Sequence, residues 1–290
     1  MDLFLQYLAN GIVVGSSYAL VAVGLTLVFG ILGVVNFAHG EFYMLGAYAG
    51  LTAITVFHVP LPVAVAAVIV VSALLGWGAE VILHGPLKNR DATSSIISSF
   101  GLAVVLQNAA LIWIGPEPQL LQTSLSAIPV EIGPVFMPLQ RLMLPIATAV
   151  LLVALHLVLR YTWTGRSLRA MAQHGTVARL CGVRIKRVAI VTFMVAAALA
   201  GVAGFLMSSV YMVHPLIGNM IVLKAFTVVI LGGMGQIGGA AAAGILLGIT
   251  ESMTSAYLDN GLRDIVGFVI VIVVLLVRPN GLFGRKADRS

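Results

Sequence analysis

The distribution of charge along this chain leaves few folds open. Its 16 Lys and Arg and 10 Asp and Glu residues leave uncharged runs over 3–40, 42–79, 92–116, 142–159, 188–223 and 225–250. A membrane-spanning helix needs about 20 predominantly apolar residues, with a range of roughly 17–25. Every run can therefore hold one span, and the three longest can hold two. Charged residues make up only 9% of the chain and hydrophobic ones 60%, whereas a soluble domain carries about 25% charged residues. Too little polar surface remains to face water on all sides. The unbroken apolar runs also lack the alternation of a transmembrane β-barrel. The expectation is an all-α, polytopic membrane helix bundle forming one domain over residues 1–290.

Other classes drop out in turn. The single cysteine, Cys181, offers neither an internal disulfide nor a zinc spacing, and no metal or cofactor is implied. Met1-Asp2-Leu3-Phe4-Leu5-Gln6 has no basic segment, and the apolar stretch after it is too long for a signal peptide. There is no P-loop ending in Gly-Lys-Ser/Thr, hence no recognisable cradle for ATP phosphates. Gly233-Met234-Gly235-Gln236-Ile237-Gly238 matches the dinucleotide fingerprint, but that motif needs a soluble strand–helix–strand unit and here lies within an uncharged run. The net charge of +6 would suit nucleic acid, yet membrane topology accounts for it, and no nucleic-acid partner is expected.

Basic residues concentrate on cytoplasmic loops. Segment 160–187 holds Arg160, Arg166, Arg169, Arg179, Arg184, Lys186 and Arg187 without an acid, and the tail 278–290 adds Arg278, Arg285, Lys286 and Arg289. With a short loop at Lys88, Arg90 and Asp91, this puts 13 of the 16 basic residues inside and leaves Arg141, Lys224 and Arg263 outside. Spans near 5–30, 42–57, 61–84, 94–114 and 142–160 then lead from an outside N-terminus to the inside loop, with Pro60 and Pro62 dividing the second run. After a span at 188–210, an odd number of crossings must bring the tail back inside. Splitting the next stretch into 219–233 and 237–257, at a turn containing Gly232, Gly233, Gly235 and Gly238, satisfies this together with 264–277. The total is eight or nine spans. A re-entrant pair of half-helices would use the same glycines.

Small-xxx-small pairs at Gly11/Gly15, Gly46/Gly50, Gly235/Gly239 and Gly244/Gly248 suit close helix packing in lipid. Ionisable residues within spans cost about 2.5–3.5 kcal/mol on insertion scales and are functional candidates by default; here they are Glu41, Glu80 and Glu251. Glu41 closes Asn36-Phe37-Ala38-His39-Gly40-Glu41, which fits either a broken helix whose backbone is satisfied by protein or water, or a cytoplasmic turn capping the next helix. Glu80 and His84 form an i,i+4 pair. Glu251 reads as the outer boundary of its helix. Gln107 and Asn108 either bridge helices or line a polar path, since buried amides need partners. In the inside loop, 164–173 and 176–183 read as two short helices, with Gly165 and Gly175 punctuating the first and Gly182 ending the second. Their small, basic faces suit a cytoplasmic partner.

Asn36-Phe37-Ala38-His39-Gly40-Glu41, Gly165-Arg166 with Arg169-Ala170, Ala225-Phe226 with Leu231-Gly232-Gly233-Met234-Gly235, and Arg278-Pro279-Asn280-Gly281-Leu282-Phe283-Gly284 occur in this order. Together they resemble the permease subunit of branched-chain amino acid ABC importers, the high-affinity leucine/isoleucine/valine type, over essentially the whole chain. Urea and short-amide importers use closely similar permeases. The resemblance implies a bacterial inner-membrane importer of two related permeases, two cytoplasmic ATPases and a periplasmic solute-binding protein. The family's ATPase-coupling helix carries over onto Ala178 and Gly182, although Thr176 and Val177 stand where its E-A-A-x-x-x-G pattern has Glu and Ala.

The resulting expectation is a non-enzymatic transport subunit with no catalytic residue, working by alternating access. Its ATPase-coupling loop would include Gly165, Arg166, Arg169, Ala178 and Gly182. Its translocation path would pass Asn36, Phe37, His39, Glu41, Gln107 and Asn108. A stand-alone secondary transporter would instead place charged relays in mid-span. An intramembrane hydrolase would need a nucleophile from Ser94, Ser95, Ser98 or Ser99, with His84 beside it.

Overall fold

The computed structural model of the chain describes residues 2–87 and 90–284; Lys88, Arg285, Lys286 and Arg289 lie outside the described residues. Helices α1 (Asp2–Leu32), α2 (His39–Thr55) and α3 (Leu61–Gly78) come first, and α3 continues through a π-helical turn (Ala79–His84) into α4 (Gly85–Leu87). Then follow α5 (Ala92–Trp113) and α6 (Leu139–Tyr161), the short helices α7 (Trp163–Gln173) and α8 (Gly175–Leu180), and α9 (Ile185–Met207), α10 (Ile217–Gly232), α11 (Ile237–Tyr257) and α12 (Arg263–Val277). Among the described residues, seven helices are long and apolar enough to cross a membrane. The eight or nine spans expected are reached only by adding α2 and α10, which are shorter than those seven. The connection between α5 and α6 adds an antiparallel hairpin, β1 (Pro129–Ile132) and β2 (Val135–Pro138).

Local chemistry sets the breaks. Gly33 stops α1 at φ +67°, a left-handed end that glycine adopts without steric cost. Pro60 precedes the first turn of α3 and Pro62 lies within it, where a missing N–H costs nothing. Gly233 and Gly235, at φ +96° and +81°, make the turn between α10 and α11. The expected tight glycine turn is therefore present, joining the shorter α10 to the longer α11.

The centre of the bundle is α1, apolar on all sides and buried from Gly11 to Val28 except at Ile12, packed with α9 and α11. Helices α3, α5, α6 and α12 surround it and expose Val70, Val105, Val150 and Leu276, a surface suited to lipid or another membrane subunit. At one end the Gln6 side chain exchanges two hydrogen bonds with the backbone of Phe136 in β2. At the other, the tail folds back so that Leu282 N–H donates to Leu231 O at 2.8 Å, beside the glycine turn.

Antiparallel α1 and α11 meet through glycines. A β-carbon on Gly15 would lie 2.7 Å from Ile245 Cα, and one on Gly248 would collide with Gly15 itself. Backbone cannot yield as a flexible side chain can. Gly15→Leu is therefore expected to destabilise the detergent-solubilised protein by at least the roughly 1–3 kcal/mol typical of overpacking, measured by thermal unfolding. Gly101→Ala on α5, where an added Cβ meets nothing within 4 Å, is expected to be stabilising by up to about 1 kcal/mol. Equal melting temperatures for the two variants would refute this account of the crossing.

Candidate functional site

The segment Asn36–Glu41 lies inside the bundle, which selects the broken-helix alternative over a surface turn. Asn36, His39 and Glu41 are all buried. The Asn36 Oδ1 accepts from Ala38 N–H at 3.0 Å, a local turn that launches α2, while Phe37 N–H donates to Ser99 Oγ at 3.2 Å. His39 Nε2 sits 3.0 Å from Val21 O, one of the carbonyls in the middle of α1. The Phe37 ring packs on Phe226 with centroids 5.1 Å apart. Glu41 lies against Gly218 in the first turn of α10, where an added Cβ would come within 2.6 Å of its Oε1. The positive end of the α10 dipole thus faces a carboxylate.

Length explains this meeting. The 17 residues of α2 and 16 of α10 reach only about 25 Å at 1.5 Å per residue, short of the roughly 30 Å hydrocarbon thickness. Both helices begin within the bundle, with Gly40 of α2 against Gly218 of α10. Asn36 Nδ2, His39 Nδ1 and Glu41 Oε2 have no hydrogen-bond partner among the described residues. This is a polar junction with capacity to spare. Gln107 and Asn108 stand apart from it on α5: Gln107 is half-buried, while Asn108 is exposed and donates to Val104 O of its own helix at 2.8 Å.

A second polar group was not anticipated. Lys224 Nζ bonds both Glu251, in direct contact, and Asp264 at 2.7 Å. Arg263 Nε reaches Glu251 Oε2 at 2.9 Å, and its Nη atoms donate to the hydroxyls of Tyr211 and Tyr18 at 3.0 and 3.2 Å. Tyr18 OH in turn donates to Glu251 Oε2 at 2.9 Å. Glu251 is completely buried, so it does not mark a helix boundary, and Lys224 sits within α10 rather than on an outer connection. Two cations and two anions neutralise one another across α10, α11 and α12. The available signal was the lone lysine between two uncharged runs, which needs a buried anion to be tolerated.

At the basic end, Thr162 caps α7 by accepting from Gly165 N–H at 3.0 Å. Gly165 lies inside the first turn of α7 rather than punctuating it, because its α-carbon packs against Val158 and Leu159 where no side chain fits. Arg166 stacks over Trp163 at 4.1 Å, and Arg169 donates to Arg160 O at 3.3 Å; both are exposed. Ala178 is buried on α8, which packs on α7, and Gly182 follows α8 at φ +85°. The apolar groups that α8 presents outward are Val177 and Leu180, the latter 84% exposed.

In the glycine turn, Gly232 packs against Gly239 and Gly233 against Asn280 and Gly284, whereas Gly238 is exposed with open space around it. The serines on α5 bond neighbours: Ser98 and Ser99 donate to Ser95 O and Ile96 O, and Ser95 Oγ lies 3.0 Å from His84 Nδ1. That last contact ties α5 to the π-helical turn.

Residues 7–277 match the family described as branched-chain amino acid transport system, permease component. The chain is 38% identical to the high-affinity branched-chain amino acid transport system permease protein LivH of Escherichia coli (strain K12), over 97% of this chain and 96% of that protein. It is 36% identical to the corresponding BraD of Pseudomonas aeruginosa over the same shares. Identity is 29% to a probable branched-chain amino acid transport permease protein of Methanocaldococcus jannaschii, over 96% of this chain and 91% of that one. No solved structure matches.

Proposed function

The chain belongs to the permease-component family of branched-chain amino acid transport systems, and from that premise we propose that it is one of two related permeases in an ATP-driven importer for leucine, isoleucine and valine. Two cytoplasmic ATPases and a periplasmic solute-binding protein complete the assembly in the bacterial inner membrane. The relatives' names favour branched-chain amino acids over urea or short amides. The basic end, carrying α7, α8 and the tail, faces the cytoplasm, and the N-terminus faces the periplasm, in keeping with the positive-inside bias.

One observation carries the energetic half of this reading. Two short helices stand at the basic end, α7 held to the bundle through buried Gly165 and Leu168 and α8 packed on α7, exposing Val177 and Leu180. A rigid foot of this kind transmits movement of a bound ATPase to the spans. Gly165, Arg166, Arg169, Ala178 and Gly182 form or support it. ATP binding shifts the permease between two conformations only if the ATPases bind them with different affinity. The substrate passes the junction of Asn36, Phe37, His39 and Glu41, with Gln107 and Asn108 farther along the path, and the turn at Gly232, Gly233, Gly235 and Gly238 fixes α10 against α11 as they move.

Reconstitution of the five-part assembly into proteoliposomes tests the proposal. Leucine, isoleucine and valine uptake is expected only with ATP, both ATPases and the solute-binding protein, and excess urea or acetamide is expected not to compete. Uptake by this chain alone would contradict it.

A further inference from the structure

A cavity of about 940 Å³ lies at the basic end, walled by the break between α1 and α2, the π-helical turn, the start of α5 and the α8–α9 segment. Its size falls at the upper end of small-molecule sites, roughly 300–1,000 Å³. Arg90 lines it from the connection before α5, and Arg179, Arg184 and Lys186 line it from α8 and the beginning of α9. All four are exposed, and none has an ion pair or a side-chain hydrogen bond among the described residues. Two acids share the wall: Asp91, which is exposed, and Glu80, which is buried and already engaged within the protein.

Positive charge is therefore in excess, and it comes from two separate stretches of chain. Like charges held around one space repel until an anion joins them. The first turn of α9 adds to the demand. No side chain caps it, so its N–H groups carry the positive end of the helix dipole, and Lys186 stands in that turn against the dipole. The rest of the wall is largely apolar, with Val34, Val35, Val81, Ile96 and Ile190. Ile82 and Ile97, next to Val81 and Ile96 in the chain, are exposed on the two elements that continue into the outer surface of the bundle. The cavity thus sits where cations meet hydrocarbon. A soluble phosphate ester would use the charge and leave the apolar wall wet, whereas a phospholipid uses both.

We propose that this cavity binds an anionic phospholipid, its phosphate among Arg90, Arg179, Arg184 and Lys186 and the start of an acyl chain along Val81 and Ile96. Basic pockets between membrane helices on the cytoplasmic side hold headgroups of this kind. The bound phosphate ties the α8–α9 segment to the connection before α5. Because α8 also carries the exposed Val177 and Leu180, the lipid steadies the surface through which the ATPases act, and transport depends on it. The site requires the cytoplasmic orientation of the basic end, not any particular cargo.

Photolabelling of the complete importer tests the assignment. Proteoliposomes of phosphatidylcholine carry a small fraction of phosphatidylglycerol with a diazirine near the start of one acyl chain, and labelled peptides are mapped by mass spectrometry. Label is expected to concentrate in 80–96 and 183–190, to fall with added unlabelled phosphatidylglycerol, and to persist against glycerol 3-phosphate. Arg90→Gln and Arg184→Gln are each expected to reduce it about fivefold, the effect of one basic residue at an anionic surface, with unchanged melting temperatures. Arg187→Gln, at an exposed cation that does not line the cavity, is expected to change it by less than about twofold. ATP-driven leucine uptake in the same vesicles should rise with phosphatidylglycerol content and lose that dependence in the Arg90/Arg184 double variant. Equal losses from Arg184→Gln and Arg187→Gln would mean diffuse surface charge and overturn the site. Label spread evenly over the exposed faces of α3, α5 and α12, or displaced as well by phosphatidylcholine, would do the same. Displacement by glycerol 3-phosphate would overturn the lipid assignment in favour of a soluble phosphate ester. Uptake absent at every lipid composition, with the label in place, would contradict the transport reading and leave the lipid site standing.

Discussion

Glu251→Ala is expected to destabilise the protein by about 3–5 kcal/mol, the usual cost of removing one partner from a buried ion pair. The carboxylate has unusually many dependants: it meets Lys224 and Arg263, and accepts from Tyr18 as well. Its loss leaves two cations facing only Asp264, and Lys224 is buried within α10, where an uncompensated charge is costly. Lys224→Met produces the opposite imbalance, stranding Glu251 beside a single cation. The double variant restores neutrality, so its cost should fall short of the sum of the single costs by about 1–3 kcal/mol, within the coupling found for residues in one charged network. Thermal unfolding in detergent gives all three values. Strict additivity would mean that the four charges do not act as a unit.

This cluster also shows where reading the sequence reached its limit. The spans, the proline and glycine breaks and the turn between α10 and α11 were legible because each is set by local chemistry and by the thickness of a bilayer. Lys224 and Glu251 are 27 residues apart, and Tyr18 lies more than 200 residues before either. Only the packing of α1 against α10 and α11 brings them together. The positive-inside count left Lys224 to the outer side, because nothing near it in the sequence shows its partner.

The junction at Asn36–Glu41 was half legible. Its polar residues identified a broken helix or a cap, yet burial against Gly218 and Val21 depends on α10 starting in mid-bundle. Ala178 shows the same boundary at shorter range. Its motif pointed to a short helix at this place in the chain, but which face of α8 is free depends on how it packs on α7, and that face carries Val177 and Leu180.

Introducing aspartate at both Val177 and Leu180 is therefore expected to abolish ATP-driven uptake, to less than about one-hundredth of wild type, if each contributes the roughly 2 kcal/mol of an interface hot spot. Both side chains are exposed, at 55% and 84%, so the fold should be preserved, with an unchanged melting temperature for the isolated permease. Co-purification of the ATPases should be lost at the same time. Substituting Arg169 by alanine is expected to matter far less, since its exposed guanidinium already donates to Arg160 O within the chain. The chemistry of the contact follows from the same residues. Where the coupling pattern ordinarily begins with an acid and a small residue, Thr176 and Val177 make this patch apolar. Burial of apolar surface is not screened by salt, whereas exposed charge pairs weaken over the roughly 10 Å Debye length at 0.1 M and more steeply above it. ATPase attachment should accordingly survive an increase from 0.1 to 0.5 M salt with less than about a threefold loss of affinity. A steep loss over that range, with uptake retained in the double-aspartate variant, would place the contact on the arginines and leave Val177 and Leu180 outside it.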